Sequence, residues 1–255
     1  MNIDLIDTHC HLGALDAEEA DRVVNDAKLA SVNRMVCIGA GDGADSARHS
    51  VALAERNPAV WASVGIHPHD ADKAQLSDVA SLLTHPRVVA LGECGLDYFR
   101  DWSPVEDQRR LFRESITLAH QFGKKLIIHC RAAEDETLTT LREMEADKIG
   151  GVFHCFSGDV SFAERVLEIG FHISITGTVT FKNAEKLRDV VRFVPLDRLM
   201  LETDTPYMAP EPYRGTPSEP KHVFEIARKV AMVRDDSIAN IAAQTTANAV
   251  RFFGL

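Results

Sequence analysis

The chain has 255 residues, 45% hydrophobic and 26% charged, the balance of an ordinary globular protein. Fifteen glycines and ten prolines exclude a collagenous or low-complexity chain. A net charge of −10 disfavours a broad basic surface for nucleic acid, yet leaves room for one locally positive site.

No apolar run approaches the ~18 residues of a membrane helix. Met1 to Gly13 carries Asp4 and Asp7 and lacks the basic cluster of a signal peptide. The five cysteines, Cys10, Cys37, Cys94, Cys130 and Cys155, are odd in number and form no C-x-x-C pair. They read as reduced thiols, which suits a soluble cytoplasmic protein with no membrane contact.

Along the chain, short apolar runs alternate with longer amphipathic ones. Eight runs read as strands buried on both faces: Ile3–Asp7, Arg34–Ile38, Val60–Gly65, Val88–Gly92, Lys125–His129, Gly151–His154, Phe171–Ile175 and Arg198–Glu202. Gly39-Ala40-Gly41-Asp42-Gly43-Ala44 satisfies a dinucleotide fingerprint. The next strand ends without the ribose-binding acid, so the segment reads as a tight loop. Ser103 to Glu106 reads as a capping box with Pro104 at the first helical position. Behind it Leu111, Ser115, Leu118, Ala119 and Phe122 share a face, and Gly123 ends the helix. Pro206 to Pro220 holds five prolines and reads as a long ordered loop. Ser237 to Phe253 reads as a terminal helix on the outside, with Ile238, Ile241, Ala242, Thr245, Ala249, Phe252 and Phe253 on one stripe.

Eight β–α alternations predict an α/β fold, a (β/α)8 barrel, with a single domain over residues 1–255. An open doubly wound sheet is the competing arrangement.

The motif positions carry the chemistry. In Asp7-Thr8-His9-Cys10-His11, alternate residues of a strand point the same way, so His9 and His11 share a face and Cys10 turns away. Alone, such a pair is more often two ordinary histidines than a metal site. Here it recurs: Glu93, His129 and His154 end the fourth, fifth and sixth strands, and Asp204 follows the eighth. All six would converge on the C-terminal mouth, where barrel enzymes place their chemistry. Four imidazoles and two carboxylates suit divalent ions such as Mg, Mn or Zn. Six donors exceed one tetrahedral ion and suit two ions about 3.5–4 Å apart, with one carboxylate bridging.

His67, in Gly65-Ile66-His67-Pro68-His69, faces the site as a substrate donor or is a loop histidine stiffened by Pro68. Arg131 clamps a phosphate or makes a structural ion pair. Asp204 alternatively caps a turn before Pro206. Asp7 reads as a carboxylate behind the metal shell that orients a histidine, and Glu202 lies behind it similarly.

The blocks DTHCHL (Asp7–Leu12), GIHPH (Gly65–His69), GECGLDY (Gly92–Tyr98), HCR (His129–Arg131), HCFSG (His154–Gly158), ETDTPYMAP (Glu202–Pro210) and Arg214-Gly215 resemble, in order, those of the TatD-type metal-dependent deoxyribonucleases. The resemblance spans essentially the whole chain, and GECGLDY and HCFSG are its most specific blocks. It implies a TIM barrel of the amidohydrolase type that hydrolyses DNA with divalent metals. It also implies that His9 and His11 hold the more buried ion, that Glu93 bridges to a second, and that His129 and His154 complete the ligands of that second ion. Glu93 and Asp204 would then be catalytic, Asp204 orienting or deprotonating water. The expected partner is DNA, gripped weakly at single-stranded ends by a 3'–5' exonuclease, with no obligate protein partner. Gly13, Ala132 and Ser218 depart from the family pattern, which has acidic residues at the first two and Asn at the third.

Two other functions stay open, one on the same residues and one on the glycine-rich segment. The ions would equally serve attack on another ester or amide, such as an aminoacyl-tRNA ester, a lactone or a cyclic amide. Lys124 and Lys125 lie at the wrong end of their strand for a carbamylated bridge, which favours phosphoester chemistry. A non-catalytic metal- or nucleotide-binding module is the third reading.

Overall fold

Strands walled by helices outside and by each other inside must be apolar on both faces. Eight such strands form in the computed structural model, which describes residues 3–41 and 43–255. They are Leu5–Cys10 (β1), Val32–Gly39 (β2), Val60–Val64 (β3), Val88–Asp97 (β4), Lys125–Arg131 (β5), Gly151–Phe153 (β6), His172–Ile175 (β7) and Leu199–Leu201 (β8). Eight helices are Ala17–Leu29 (α1), Gly43–Arg56 (α2), Val105–Phe122 (α3), Glu134–Glu143 (α4), Val160–Glu168 (α5), Glu185–Phe193 (α6), Val223–Arg234 (α7) and Ile238–Phe253 (α8). Asp42 of the glycine-rich loop, and Met1 and Asn2, lie outside the described residues.

The strands pair in parallel in chain order, β1 to β8. The last seam is made just past the strand ends. Cys10 bridges to Thr205, His11 N donates to Thr205 O (2.8 Å) and Asp204 N donates to His9 O (2.9 Å). The result is a nearly closed (β/α)8 barrel rather than an open doubly wound sheet. Its seam passes through His9, His11 and Asp204.

Strand alternation creates two apolar layers. One face, with Leu5, Met35, Leu126 and Leu199, packs against the helices. The other, with Ile6, Val36, Ala90, Ile127, Val152 and Met200, fills the barrel. Ala249, Phe252 and Phe253 of α8 join this inner layer, so the terminal helix also plugs the barrel rather than lying wholly outside it. In α3 the buried positions Gln108, Leu111, Phe112, Ser115, Ile116 and Ala119 follow helical spacing, and Gly123 ends the helix at φ 61°. Its start differs from the sequence reading. Pro104 is the cap, and the Ser103 hydroxyl donates to Asp72 Oδ1 (2.9 Å) instead of capping the helix. A tertiary carboxylate outcompetes the local amide.

β4 continues five residues beyond Gly92, staying paired with β5 as far as Asp97 opposite Arg131. Gly95 permits this. Its φ is 142°, and a Cβ there would sit 2.0 Å from the His129 carbonyl oxygen. Gly123 has a positive φ too, but open space around it. Gly95→Ala is therefore expected to cost more than ~2 kcal/mol, from strain and forced strand separation. Gly123→Ala should cost only about 1 kcal/mol. Denaturant unfolding of both variants checks this, and equal losses would count against the close-approach argument.

Candidate metal centre

β1, β4, β5, β6 and the turn after β8 deliver the six sequence-predicted donors to one buried point. His9 is fully buried, Glu93 is 2% exposed, and His154 and Asp204 are buried. The His9 and His11 Nε2 atoms lie 3.2 Å apart. From His9 Nε2, Glu93 Oε2 is at 3.4 Å and Asp204 Oδ1 at 3.6 Å. From His11 Nε2 the same oxygens are at 3.8 and 3.4 Å. Four donors about 2.1 Å from a common centre at tetrahedral angles stand about 3.4 Å apart. His9, His11 and Glu93 therefore have the spacing of cation ligands, with Asp204 Oδ1 beside both imidazoles.

The second Glu93 oxygen serves a second group. Oε1 lies 2.8 Å from His129 Nδ1 and 2.7 Å from His154 Nε2. Those two ring nitrogens are 3.4 Å apart. His67 adds its Nε2 at 3.3 Å from Oε1, so the structure brings it beside this group. The His9 and His154 rings stack at 3.9 Å, and the Nδ1 atom of each is buried without a hydrogen-bond partner. The imidazole and carboxylate donors fit a divalent cation.

Backbone geometry aims these groups. Asp204 and Cys155 take left-handed conformations, φ 58° and 43°. Such strain at non-glycine residues collects at functional sites. Cys10 turns away from these donors, its thiol 3.4 Å from Val36 O. Asp7 does not touch an imidazole. It accepts from His9 N (3.2 Å), Thr203 N (2.9 Å) and the Thr203 hydroxyl (2.5 Å), and so ties the end of β1 to the turn carrying Asp204. Glu202 Oε1 accepts from Cys155 N at 2.5 Å and lies 3.5 Å from His154 Nδ1. Arg131 lies at the exposed end of β5, its guanidinium 4.0 Å over the Phe99 ring. Arg109 and Arg113, whose side chains stay partly in solvent, pair with Glu136 and Glu143 of α4.

Two residues without a role in the sequence reading prove central. Asp97, fully buried, faces His129 Nε2 at 3.0 Å and His69 Nε2 at 2.8 Å. It holds the outer nitrogen of His129, so that Nδ1 turns to Glu93. The signal was present in the unassigned Asp97 of GECGLDY and in the His69 of GIHPH.

Electrostatics follow from packing carboxylates among imidazoles. Burial penalises the charge on Glu93, but His154, His67 and His129 hold its carboxyl well below the usual range. Asp204 is also lowered against burial, chiefly by His11. Burial opposes charge on His154 too, yet Glu93 and Glu202 raise its pKa well above 6.5. His11 and His129 are raised likewise, against burial, by Asp204 and by Asp97 with Glu93. Burial lowers His9, and it pushes His67 down to about 4. Asp7, desolvated, is pushed up to about 8.

The family model described as TatD related DNase matches residues 6–254. The chain belongs to the TatD family of metal-dependent hydrolases. It is 38% identical over 253 residues to the uncharacterized metal-dependent hydrolase YabD of Bacillus subtilis, covering 98% of each chain. It is 34% identical over 248 residues to the 3'-5' ssDNA/RNA exonuclease TatD of Erwinia amylovora, covering 94% of this chain and 95% of that one. The crystal structure of the Escherichia coli TatD homologue YjjV superposes with a TM-score of 0.93 at 30% identity, each chain fully covered.

Two outcomes follow for this TatD-family site. His11, His129 and His154 retain protons toward neutrality in the metal-free protein, and a cation needs those lone pairs. Binding should therefore expel protons, and apparent affinity should rise with pH. Calorimetry in buffers of differing protonation enthalpy reads this, and identical heats would contradict it. Asp97 Oδ2 accepts from both His69 and His129 while Oδ1 accepts from the Phe99 and Arg100 amides, so in Asp97→Asn one of these pairs meets an NH2 group that cannot accept. The substitution should weaken metal binding by about 10–100-fold. Chelator competition measures the loss, and unchanged affinity in a folded variant would refute the holding role.

Proposed function

We propose that the protein is a divalent-metal-dependent deoxyribonuclease acting 3'–5' on single-stranded DNA ends. The observation that carries the reading is the division of Glu93, one oxygen facing each donor group. In this reading His9, His11 and Asp204 would hold one ion and His129 and His154 another, with one Glu93 oxygen available to each group. Ions bound there supply a water of lowered pKa and offset phosphate charge.

The side chains do the rest. Asp204, kept ionised by His11, His9 and His154, orients the attacking water and accepts its proton. Glu93 fixes the separation of the two groups. His67 is kept neutral near pH 7 by burial, so its ring can donate one hydrogen bond to a phosphate oxygen. Arg131, exposed at the mouth, offers a second contact to phosphate. The relative named as a 3'-5' ssDNA/RNA exonuclease supports nucleic acid as the substrate. Five free cysteines suit action in the cytoplasm. No helix among the described residues is long and apolar enough to cross a membrane.

The test is release of mononucleotides from end-labelled single-stranded DNA with Mg, Mn or Zn. Duplex DNA, RNA and aminoacyl-tRNA run alongside. Asp204→Asn is expected to lower kcat about 10²–10⁴-fold while the circular dichroism stays native. A folded protein that releases nothing from DNA with any of these metals overturns the nuclease reading. Selective cleavage of the aminoacyl ester would replace it with carbonyl chemistry.

A further inference from the structure

Five aromatic side chains stand out among the large exposed apolar residues described: Phe99, Trp102, Phe193, Tyr207 and Tyr213. Four of them belong to the loops after β4 and β8, on the face that carries the donor groups. Phe99 and Tyr207 are 60% exposed and Trp102 57%. Rings left this open on a water-soluble surface mark a contact site.

The rings are held in place. Trp102 meets His69 edge-on at 4.5 Å, and His69 is anchored by the same Asp97 that holds His129. The indole is thus tied to His129 through His69 and Asp97. Phe99 shares the Arg100 guanidinium with the indole, at 5.5 and 5.2 Å from the two ring centres, and its amide donates to Asp97 Oδ1 at 2.9 Å. Across the mouth, Tyr207 stands edge-on to His11 at 6.1 Å.

The same rim carries positive charge. Most arginines of this acidic chain pair with carboxylates. Arg100, Arg131 and Arg214, all exposed, have no carboxylate within ion-pair distance among the described residues. Each instead lies over a ring: Arg131 over Phe99 at 4.0 Å, Arg100 over Trp102 at 5.2 Å, and Arg214 over Phe181 at 3.8 Å. Open flat rings next to unpaired guanidinium groups match a chain of stacked bases linked by phosphates. A duplex, whose bases are already stacked, offers the rings nothing.

We propose that Trp102 and Phe99, with Arg100 and Arg131, form a stacking platform for unpaired bases of the strand whose terminal phosphodiester lies at the donor groups. This deepens the nuclease reading and rests on it. The platform sets substrate preference: unpaired ends over paired ones, and base-bearing over abasic strands.

The chain has two tryptophans. Trp61 lies under Arg87, which bonds Pro58 O at the opposite end of the barrel. Trp61→Phe therefore makes Trp102 the sole indole reporter. This protein is titrated with a phosphorothioate oligothymidylate of about six nucleotides and with an abasic strand of equal length and charge. The platform predicts quenching by thymine, and affinity at least about fivefold weaker for the abasic strand. With binding read instead by the anisotropy of dye-labelled strands, Trp102→Ala should bring the thymidylate down to the abasic level, and Trp102→Phe should largely restore it. Equal affinity for both strands overturns the platform while leaving hydrolysis, measured separately, to decide the nuclease reading. Absence of binding by either strand also overturns it. A concentration-dependent dimer that Trp102→Ala dissolves would assign the rim to a second copy of the chain instead.

Discussion

The organising constraint is the buried charge on Glu93. A carboxylate shut away from water is expensive unless several partners share its charge. Glu93 meets that need with both oxygens, one toward the His9–His11 group and one toward His129 and His154. Those imidazoles stabilise it by holding protons or by holding a cation jointly with it. The barrel end can therefore carry protons in one state and metal in another, with little rearrangement of side chains. Asp204, Glu202 and Asp97 complete the alternation of acids and imidazoles, so that few charges face one of their own sign.

This constraint explains why two strands outrun their apolar cores. β4 carries Glu93 in its middle and Asp97 at its end, and must stay paired with β5 for Asp97 to reach His129. Gly95 makes the pairing sterically possible at the point where His129 O approaches. β1 ends similarly. Its register on β2 shifts between Asp7 and Cys10, and its closing bonds go to Thr205 and Asp204 rather than to a strand. The seam is weak as a sheet and strong as a polar knot, because Asp7 gathers amides from both sides of it. Sheet closure and donor placement are thus one structural feature.

The barrel was readable because its signals are local. Doubly buried strands show as short Val/Ile/Leu runs, and alternation on β1 alone puts His9 and His11 together with Cys10 turned away. The six convergent donors were readable for the same reason, since each sits at a strand end. Less legible features depend on partners distant in sequence. Ser103 looks like a helix cap until Asp72, thirty-one residues away, takes its hydroxyl. The stripe on α8 gives its apolar face but not that Phe252 and Phe253 plug the barrel. Asp97 lies four residues from Glu93, yet its role depends on His69 arriving from the loop after β3 and His129 from β5. Exposed aromatics carry no periodic signal at all, so the rim of Phe99, Trp102 and Tyr207 emerges only once the loops are placed.

The net charge of −10 changes meaning once the acids are located. Asp7, Glu93, Asp97, Glu202 and Asp204 are buried at the barrel end, so half of the formal excess is not displayed on the surface. On the helices most arginines are neutralised by carboxylates three or four residues away or on the next helix. Such exposed pairs add little stability, but they cancel the field that would draw a polyanion to the flanks. Arg100, Arg131 and Arg214 lack such partners among the described residues and surround the mouth. An acidic molecule arranged this way offers long anionic chains little attraction along its paired helix faces, while the mouth keeps unpaired positive charge. A divalent ion inside would deepen that attraction. The overall acidity therefore selects how a nucleic acid approaches, end first and at the mouth, rather than excluding it.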